Sequence, residues 1–168
     1  AIERNWEAPL HPRPSGKRIL VIGSGPAGLS AAYHLTRLGH SVEIYEGAEK
    51  PGGMMRYGIP AYRLPRDILD AEIERIETRG VSIHLNRKVT NLKREKEDGA
   101  FDAVFAAVGA HIATQVDIPA RDASKILDAV SFLKGVESGT STVMGRRVAV
   151  YGGGNTAMDA ARTAKRLG

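Results

Sequence analysis

With 168 residues, 42% of them hydrophobic and 26% charged, the chain is long enough to bury a globular core, which argues against extensive disorder. It contains no cysteine, and this excludes disulfides, zinc–thiolate sites and Cys-ligated iron–sulfur clusters within these residues. A net charge of +5 is compatible with a nucleic-acid-binding protein. However, the basic residues alternate with acidic ones and only 5% of the residues are aromatic, so we expect no nucleic-acid partner.

The first 46 residues contain the clearest structural pattern. Residues 1–17 are polar and rich in proline, which predicts an extended arm. Residues 18–23 form a short apolar run typical of a buried parallel strand. Apolar residues then recur at helical spacing over 26–38, with Gly39 as the C-cap, and 41–46 is the next predicted strand. Together these elements predict a βαβ unit of about 30 residues.

The middle of the chain continues the alternation of strands and helices. A loop rich in glycine and proline leads to an amphipathic helix predicted over 67–79, with Ile68 on its apolar face. The later predicted elements are a strand over 81–85, a candidate strand over 88–92, a charged turn over 93–99, a buried strand over 101–109, an irregular crossing over 111–122, a helix over 123–136 and a strand over 146–152. This order predicts an α/β fold, a Rossmann-like doubly wound parallel sheet with an incomplete second nucleotide-binding unit.

The first glycine cluster has the spacing of a dinucleotide-binding loop. Gly23, Gly25 and Gly28 follow a strand and open a helix, the context in which G-x-G-x-x-G has a mechanical meaning. Gly23 permits the tight turn, Gly25 lets a pyrophosphate approach the backbone, and Gly28 lets the helix and strand pack closely. The helix N-terminus then offers unpaired N–H groups to the anion.

Glu46, at the end of the second strand, lies where an acidic residue hydrogen-bonds a ribose 2′-hydroxyl. A carboxylate at this point repels a 2′-phosphate, so the first loop is expected to bind FAD or NAD and not NADP. Spacing alone does not separate FAD from NAD.

The second glycine cluster closes the chain. Gly152, Gly154 and Ala157 repeat the pattern with alanine in the third position, and a helix is predicted from near Asn155. Asn155 and Thr156 can donate to a phosphate, or they can cap an ordinary helix, which is the alternative interpretation. The residue that selects NAD or NADP lies about 20 positions beyond such a loop. It falls outside these 168 residues, and the chain is interpreted as a segment of a longer protein.

Three stretches resemble one family of flavoproteins. GSGPAGL, PGGMMRYGIPAYRLPRDILDAEI and GGGNTAMDAAR are similar to the glutamate synthase small-subunit family, which includes the flavin portion of dihydropyrimidine dehydrogenase. The resemblance covers nearly all of the chain after the arm. It implies that the first loop binds FAD and the second NADPH, or NADH. It also implies that iron–sulfur clusters lie outside this chain.

The resemblance also suggests roles for individual residues. It places Glu46 at the ribose, Val89 at the adenine through its backbone, and Gly109 close to the ligand. Val108 stands where the family usually has threonine, so the side chain offers no hydroxyl for a contact there. At the pyrophosphate it implies Gly23, Ser24, Gly25, Pro26, Ala27 and Gly28; nearer the ribityl and flavin it implies Gly53, Met54 and Arg63; and in the second loop it implies Gly152, Gly153, Gly154, Asn155, Thr156 and Ala157.

The family organisation implies four regions and an enzymatic role. The regions are an arm over 1–17, the N-terminal part of an FAD-binding domain over 18–120, a crossover helix and loop over 121–145, and the start of an NAD(P)H-binding domain over 146–168. The full protein is expected to be a cytoplasmic oxidoreductase that passes electrons from NAD(P)H through FAD to iron–sulfur centres. Its partners are expected to be the remaining segments of the same protein and a larger catalytic or electron-accepting subunit, with no membrane association. This segment alone is expected to be inactive.

Two alternatives remain open from the sequence. The chain could be a non-catalytic flavin- or nucleotide-binding module within an electron-transfer assembly. It could also be an NAD-only dehydrogenase that uses Glu46, although the GG…GIP…RLP block argues against this.

Overall fold

The computed structural model of the chain describes residues 12–110, 125–140 and 144–168. These residues form two compact units. The first comprises 12–55 and 65–109, and the second comprises 56–64, 110, 125–140 and 144–168. In chain order the elements are β1 (Arg18–Ile22), α1 (Pro26–Arg37), β2 (Ser41–Tyr45), α2 (Met54–Tyr57), α3 (Arg66–Glu77), β3 (Ser82–His84), α4 (Leu92–Asp98), β4 (Ala103–Ala106), α5 (Ala129–Glu137) and α6 (Asn155–Leu167).

A four-stranded parallel sheet in the order β3-β2-β1-β4 forms the centre of the first unit. Ile22 lies level with Tyr45 on one side and with Ala106 on the other, and Tyr45 lies level with His84. The chain therefore leaves all four strands at the same edge of the sheet. The order reverses between β2 and β4 on either side of β1, and ligands of open α/β sheets bind at this kind of switch point. The predicted α/β fold with a parallel sheet is confirmed.

Both faces of the central strands are covered, as expected for parallel strands with continuous apolar sequences. Helix α1 packs on β1 and β2, and it brings Gly28 close to the side chain of Val21. Leu20, one residue earlier on β1, points to the opposite face and packs there with Tyr45 and Phe101. Burial of these side chains explains why a short run of β-branched and large apolar residues suffices for each strand.

The predicted end of α1 is confirmed. The helix stops at Arg37, and Gly39 follows with a φ of +83° and donates its N–H to the Thr36 carbonyl. A left-handed backbone at this point is the ordinary reason for glycine after a helix. The prediction for α3 is correct in its extent but wrong at Ile68, which is 47% exposed while Leu69 and Ile73 are buried.

The region after β3 differs from its prediction. The expected charged turn over 93–99 is the helix α4, and the candidate strand over 88–92 is not a strand. Asn91 starts this helix because its side chain accepts the N–H of Arg94, and Arg94 pairs with Asp98 one turn later. Lysine, arginine and glutamate are good helix formers, and the N-cap makes the helix possible without an apolar face.

Strand β4 was predicted to be buried, and this is wrong for most of its length. Within the described residues it has one neighbouring strand, β1, and Phe105 is 45% exposed. An apolar sequence therefore predicted the strand correctly but not its position at an edge of the sheet.

The second unit is built on two helices in its described part. Phe132 and Leu133 of α5 pack against Ala160 and Ala164 of α6. Helix α5 begins at Ala129, later than predicted, because Asp128 caps it by accepting the N–H of Ser131. The predicted crossing over 111–122 lies outside the described residues.

The strand predicted over 146–152 is not present; this stretch has no regular secondary structure. Val148 and Tyr151 within it are 46% and 76% exposed. A β-rich sequence forms a strand only when neighbouring strands satisfy its backbone hydrogen bonds, and the described part of this unit supplies none.

Candidate functional site

The turn after β1 requires glycine for structural reasons. Gly23 has a φ of +99° and donates its N–H to the Tyr45 carbonyl at 2.9 Å. A Cβ at this position would stand 2.5 Å from the backbone oxygen of Ala107. The tight turn that the sequence predicted at Gly23 thus runs between the ends of β2 and β4.

Gly25 and Gly28 have different surroundings. A Cβ on Gly28 would overlap the backbone carbonyl of Gly23, so this glycine is needed for close packing of α1 on β1. A Cβ on Gly25 would meet only the Cα of Gly53, at 3.9 Å. The backbone of Gly25 also has a φ of −71°, which any residue can adopt. The fold itself therefore does not require glycine at position 25.

The helices that follow the two glycine loops begin without a side-chain cap. Gly25 is the N-cap of α1 and Gly154 is the N-cap of α6, and neither can supply a side-chain acceptor. By contrast, Asn91 and Asp128 cap α4 and α5. The N–H groups that follow Pro26 in the first turn of α1, and those of the first turn of α6, have no side-chain acceptor from the N-cap, and an anionic phosphate is the ligand that helix N-termini favour.

Glu46 lies beside the first loop, as the spacing predicted. One carboxylate oxygen, Oε2, accepts the N–H of Ser24 at 2.8 Å and its hydroxyl at 2.5 Å. The other oxygen, Oε1, accepts the N–H of Ala48 at 2.8 Å. The carboxylate is therefore held in one orientation at the edge of the sheet where a ribose is expected.

The double-glycine loop returns to the first loop. Gly52 donates its N–H to the carbonyl of Ser24 at 3.1 Å. Gly53 has a φ of +52°, and a Cβ on it would stand 2.7 Å from the Cα of Gly25. Met54 follows as the first residue of α2. Two backbones meet here at a distance that only glycine allows, so Gly53 lies next to the predicted pyrophosphate position.

The segment after β3 runs along the end of β2. Arg87 donates its N–H to the carbonyl of Glu46 at 2.7 Å, and Val89 packs against the cluster that contains Tyr45. The Arg87 guanidinium lies 3.5 Å from the centre of the Tyr45 ring. Burial raises the pKa of the Tyr45 phenol above its ordinary value of 10.0, and the charge of Arg87 opposes that rise.

Gly109 follows β4 with a φ of +68°. It lies in the first unit, beyond the carboxyl end of β4. The predicted residues that the structure brings to this edge are Gly23, Ser24, Gly25, Pro26, Ala27, Gly28, Glu46, Gly53, Met54 and Gly109, whereas Val89 packs against the cluster that contains Tyr45. Whether each contacts a ligand remains a prediction.

The second loop lies in the second unit. Gly152 has a φ of +122°, and a Cβ on it would stand 3.6 Å from the Ala157 side chain. Gly153 and Gly154 have open space around them. Asn155 and Thr156 are exposed, and α6 has no side-chain cap, so the alternative in which they cap an ordinary helix is not what the structure shows.

Arg63 has a partner that the sequence did not suggest. Its Nη1 lies 2.6 Å from Oδ2 of Asp159, a side chain of α6 that is only 5% exposed. Arg166, later in α6, stacks over the ring of Tyr62 at 3.6 Å. These contacts hold the segment 56–64 within the second unit. The only sequence signal for Asp159 was an acidic residue among alanines in an amphipathic helix.

Two kinds of feature are absent from the residues that the structure describes. No three side chains of histidine, aspartate or glutamate there are grouped as metal ligands. Within the same ranges, no helix combines the length and apolar character needed to cross a bilayer.

Comparison with protein families gives a match over most of the chain. A family model described as pyridine nucleotide-disulphide oxidoreductase matches residues 17–168. The chain belongs to this family. Because it contains no cysteine, none of its own residues forms the disulphide for which the family is named.

Curated relatives include the groups that the sequence resembled. The chain is 44% identical to the NADP(+)-dependent formate dehydrogenase subunit beta of Moorella thermoacetica, over 92% of this chain and 22% of that protein. It is 34% identical to the NADPH glutamate synthase small chain of Mycobacterium tuberculosis, over 100% of this chain and 38% of that protein. It is 40% identical to the NAD-dependent dihydropyrimidine dehydrogenase subunit PreT of Escherichia coli, over 90% of this chain and 37% of that protein. The chain thus spans well under half the length of these relatives, and the predicted resemblance is confirmed.

A solved structure agrees with the fold. FprA from Mycobacterium tuberculosis in complex with NADPH superposes with a TM-score of 0.73 and 27% sequence identity, covering 89% of this chain and 36% of that one. The chain therefore shares its α/β fold with a segment of this structure.

Proposed function

We propose that the first glycine loop binds FAD. The observation that supports this most strongly is the convergence of three segments at one edge of the sheet: the G-x-G-x-x-G turn, the Glu46 carboxylate and the double-glycine loop. The N-terminus of α1 has no side-chain cap, and Gly25 has space beside it. These features fit a pyrophosphate on the helix N-terminus and a ribose on the carboxylate.

The charge of Glu46 sets the expected preference. A carboxylate accepts a ribose hydroxyl and repels a 2′-phosphate, so NADP is disfavoured at this loop. FAD is preferred to NAD because the glycine loop at 52–53, which the family resemblance assigns to the flavin side, packs directly on Gly25. The contact with Gly25 therefore fixes the backbone of Gly53 beside the first loop.

We further propose that the second loop binds NADPH or NADH. Gly154 leaves the N-terminus of α6 uncapped, and Gly153 has no atom near its Cβ position, so a phosphate can approach the backbone. One relative is named for NADP(+) and another for NAD, and FprA has been solved with NADPH.

In the intact protein these sites would form an electron-input segment. FAD held by the first loop and Glu46 would supply the conversion of hydride transfer into single-electron transfer to iron–sulfur centres, and NAD(P)H held at Gly152–Gly154 would supply the hydride. We propose that those centres lie in other segments or in a larger partner subunit, because the relatives are named as subunits or small chains. The four sequence regions and a cytoplasmic location belong to the same proposal.

Equilibrium titration of the 168-residue chain with FAD tests the first site. Flavin fluorescence would follow binding of FAD to the chain and to Gly25→Ala. We expect saturable binding by the chain and an affinity about a hundredfold lower for Gly25→Ala, because the methyl blocks charge-assisted hydrogen bonds from the backbone.

The matched control is the stability of the same variant. Gly25→Ala should lose no more than about 1 kcal/mol of unfolding free energy, since its methyl has only one neighbour at 3.9 Å and the remaining cost is that of alanine as an N-cap. The proposal is wrong if the parent chain does not bind FAD, or if Gly25→Ala binds it equally well.

Thermal-shift titrations with NADPH and NADH test the second site. The parent chain and Gly154→Ala would be compared, because a methyl at position 154 meets no protein atom within 4 Å yet stands at the N-cap. We expect a concentration-dependent rise in melting temperature with at least one nucleotide, and a smaller rise for the variant. Equal shifts in both proteins would contradict this assignment.

A further inference from the structure

Ser24 is the second residue of the glycine loop, and its side chain is fully buried. Its hydroxyl donates to Oε2 of Glu46 at 2.5 Å, and its backbone N–H donates to the same oxygen at 2.8 Å. The hydroxyl oxygen also accepts the N–H of Gly52 at 3.3 Å. One side chain thus connects the first loop, the end of β2 and the double-glycine loop.

This geometry leaves no hydrogen of Ser24 for a phosphate. A serine hydroxyl has a single hydrogen to donate, and here it is directed at Glu46. Although the family resemblance groups Ser24 with the pyrophosphate contacts, the structure directs both of its donor hydrogens to the Glu46 carboxylate instead. Any effect of Ser24 on a bound nucleotide then passes through Glu46.

The number of hydrogen bonds that Glu46 can accept limits what it can bind. An ionised carboxylate has about four lone-pair positions. Ser24 takes both positions on Oε2, and the N–H of Ala48 takes one on Oε1. One position on Oε1 is left, which suits a single ribose hydroxyl.

We propose that Ser24 is a positioning residue that fixes the Glu46 carboxylate so that Oε1 accepts one hydroxyl of the adenosine ribose. This inference rests on the proposed function, in which Glu46 contacts the ribose of FAD. It assigns Ser24 to recognition of the ribose and not of the pyrophosphate. Without the Ser24 hydroxyl, Glu46 keeps two of its three hydrogen bonds, and its side chain regains rotational freedom.

The test compares FAD with its 2′-deoxyadenosine and 3′-deoxyadenosine analogues. The parent chain should bind one analogue about tenfold more weakly than FAD and the other nearly as well, because one hydroxyl contacts Oε1. In Ser24→Ala, FAD should weaken about tenfold while the sensitive analogue changes little, so that discrimination is lost. In Glu46→Ala, adding Ser24→Ala should have no further effect on FAD binding.

A structural role alone would give a different pattern. If Ser24→Ala merely loosened the loop, FAD and both analogues would weaken by the same factor, and the proposal would be wrong. It would also be wrong if Ser24→Ala bound FAD as the parent does, or if its effect persisted in Glu46→Ala. Failure of the parent chain to bind FAD would instead refute the proposed function.

A second variant guards against misfolding. Gly52 keeps its bond to the Ser24 carbonyl at 3.1 Å, so we expect Ser24→Ala to fold. If it does not, Ser24→Cys retains a side chain of similar shape with a weak S–H donor. The same loss of discrimination between FAD and the sensitive analogue is expected, and unchanged discrimination would overturn the proposal.

Discussion

The ion pair between Arg63 and Asp159 allows a quantitative prediction for the second unit. Arg63→Ala removes the guanidinium that lies 2.6 Å from a carboxylate with only 5% exposure. Breaking a fully buried pair costs about 3–5 kcal/mol, whereas an exposed pair contributes at most about 1 kcal/mol. Arg63 is 40% exposed, so water can partly replace it, and we expect Arg63→Ala to destabilise α6 by about 2 kcal/mol.

A double-mutant cycle isolates the pair. Asp159→Asn keeps an acceptor for Arg63 and removes the buried charge, so its expected cost is about 1 kcal/mol. In the double variant no unpaired charge remains buried, and the expected total is about 2 kcal/mol, less than the sum of the single changes. The difference of about 1 kcal/mol is the coupling energy.

Native-state hydrogen exchange of the α6 amides is the appropriate assay, because it reports local opening and does not assume that both units unfold together. Arg162→Ala, an exposed arginine on the same helix, is the matched control and should change the opening free energy by less than about 0.5 kcal/mol. Additive effects of Arg63→Ala and Asp159→Asn would show that the pair does not stabilise this unit.

Three further predictions concern the fold. Gly28→Ala should destabilise the first unit by about 3 kcal/mol or more, because its Cβ overlaps the Gly23 carbonyl; a loss below about 1 kcal/mol on urea unfolding would contradict the packing role. Asp128→Ala should cost α5 about 1 kcal/mol as a lost N-cap, seen as faster exchange of its amides, with Asp128→Asn nearly neutral. The pKa of Asp102 is held below its ordinary value of 3.8, mainly by the hydrogen bond from the Lys17 ammonium, so the stability that this carboxylate contributes is present above that pH and is lost on acidification. Asp102→Asn should therefore weaken the fall of the urea unfolding midpoint as the pH is lowered from about 5 to about 2. An unchanged pH dependence of the midpoint would refute this.

The sequence predicted those elements that depend on local rules. The β1–α1–β2 unit combines an apolar run, a helical period and glycines at fixed spacing, and all three signals agree. The roles of Gly39 and Gly28 were predicted correctly because each depends on nearby backbone: Gly39 has a left-handed φ directly after α1, and a Cβ on Gly28 would overlap the carbonyl of Gly23. By contrast, α4 was missed because it has no apolar period, and Asn91 decides its start.

Features that depend on distant neighbours were not predicted. Residues 146–152 have the composition of a strand, but a strand also needs hydrogen-bonding neighbours. Phe105 has the sequence context of a core residue and lies on an edge. Asp159 pairs with a residue 96 positions earlier in the chain, and no periodicity connects two positions so far apart.

The contact between Ser24 and Glu46 is an intermediate case, because the sequence contains enough information to predict it. Parallel pairing of β1 with β2 places Ile22 level with Tyr45, and Ser24 and Glu46 follow these positions by two residues and one. Once the βαβ unit is accepted, a serine in the glycine loop must therefore leave the sheet beside the acidic residue that ends the second strand. We propose the corresponding rule for this loop: the residue between the first two glycines orients the ribose carboxylate when it has a hydroxyl. Comparing serine with alanine at position 24 tests that rule directly in this chain.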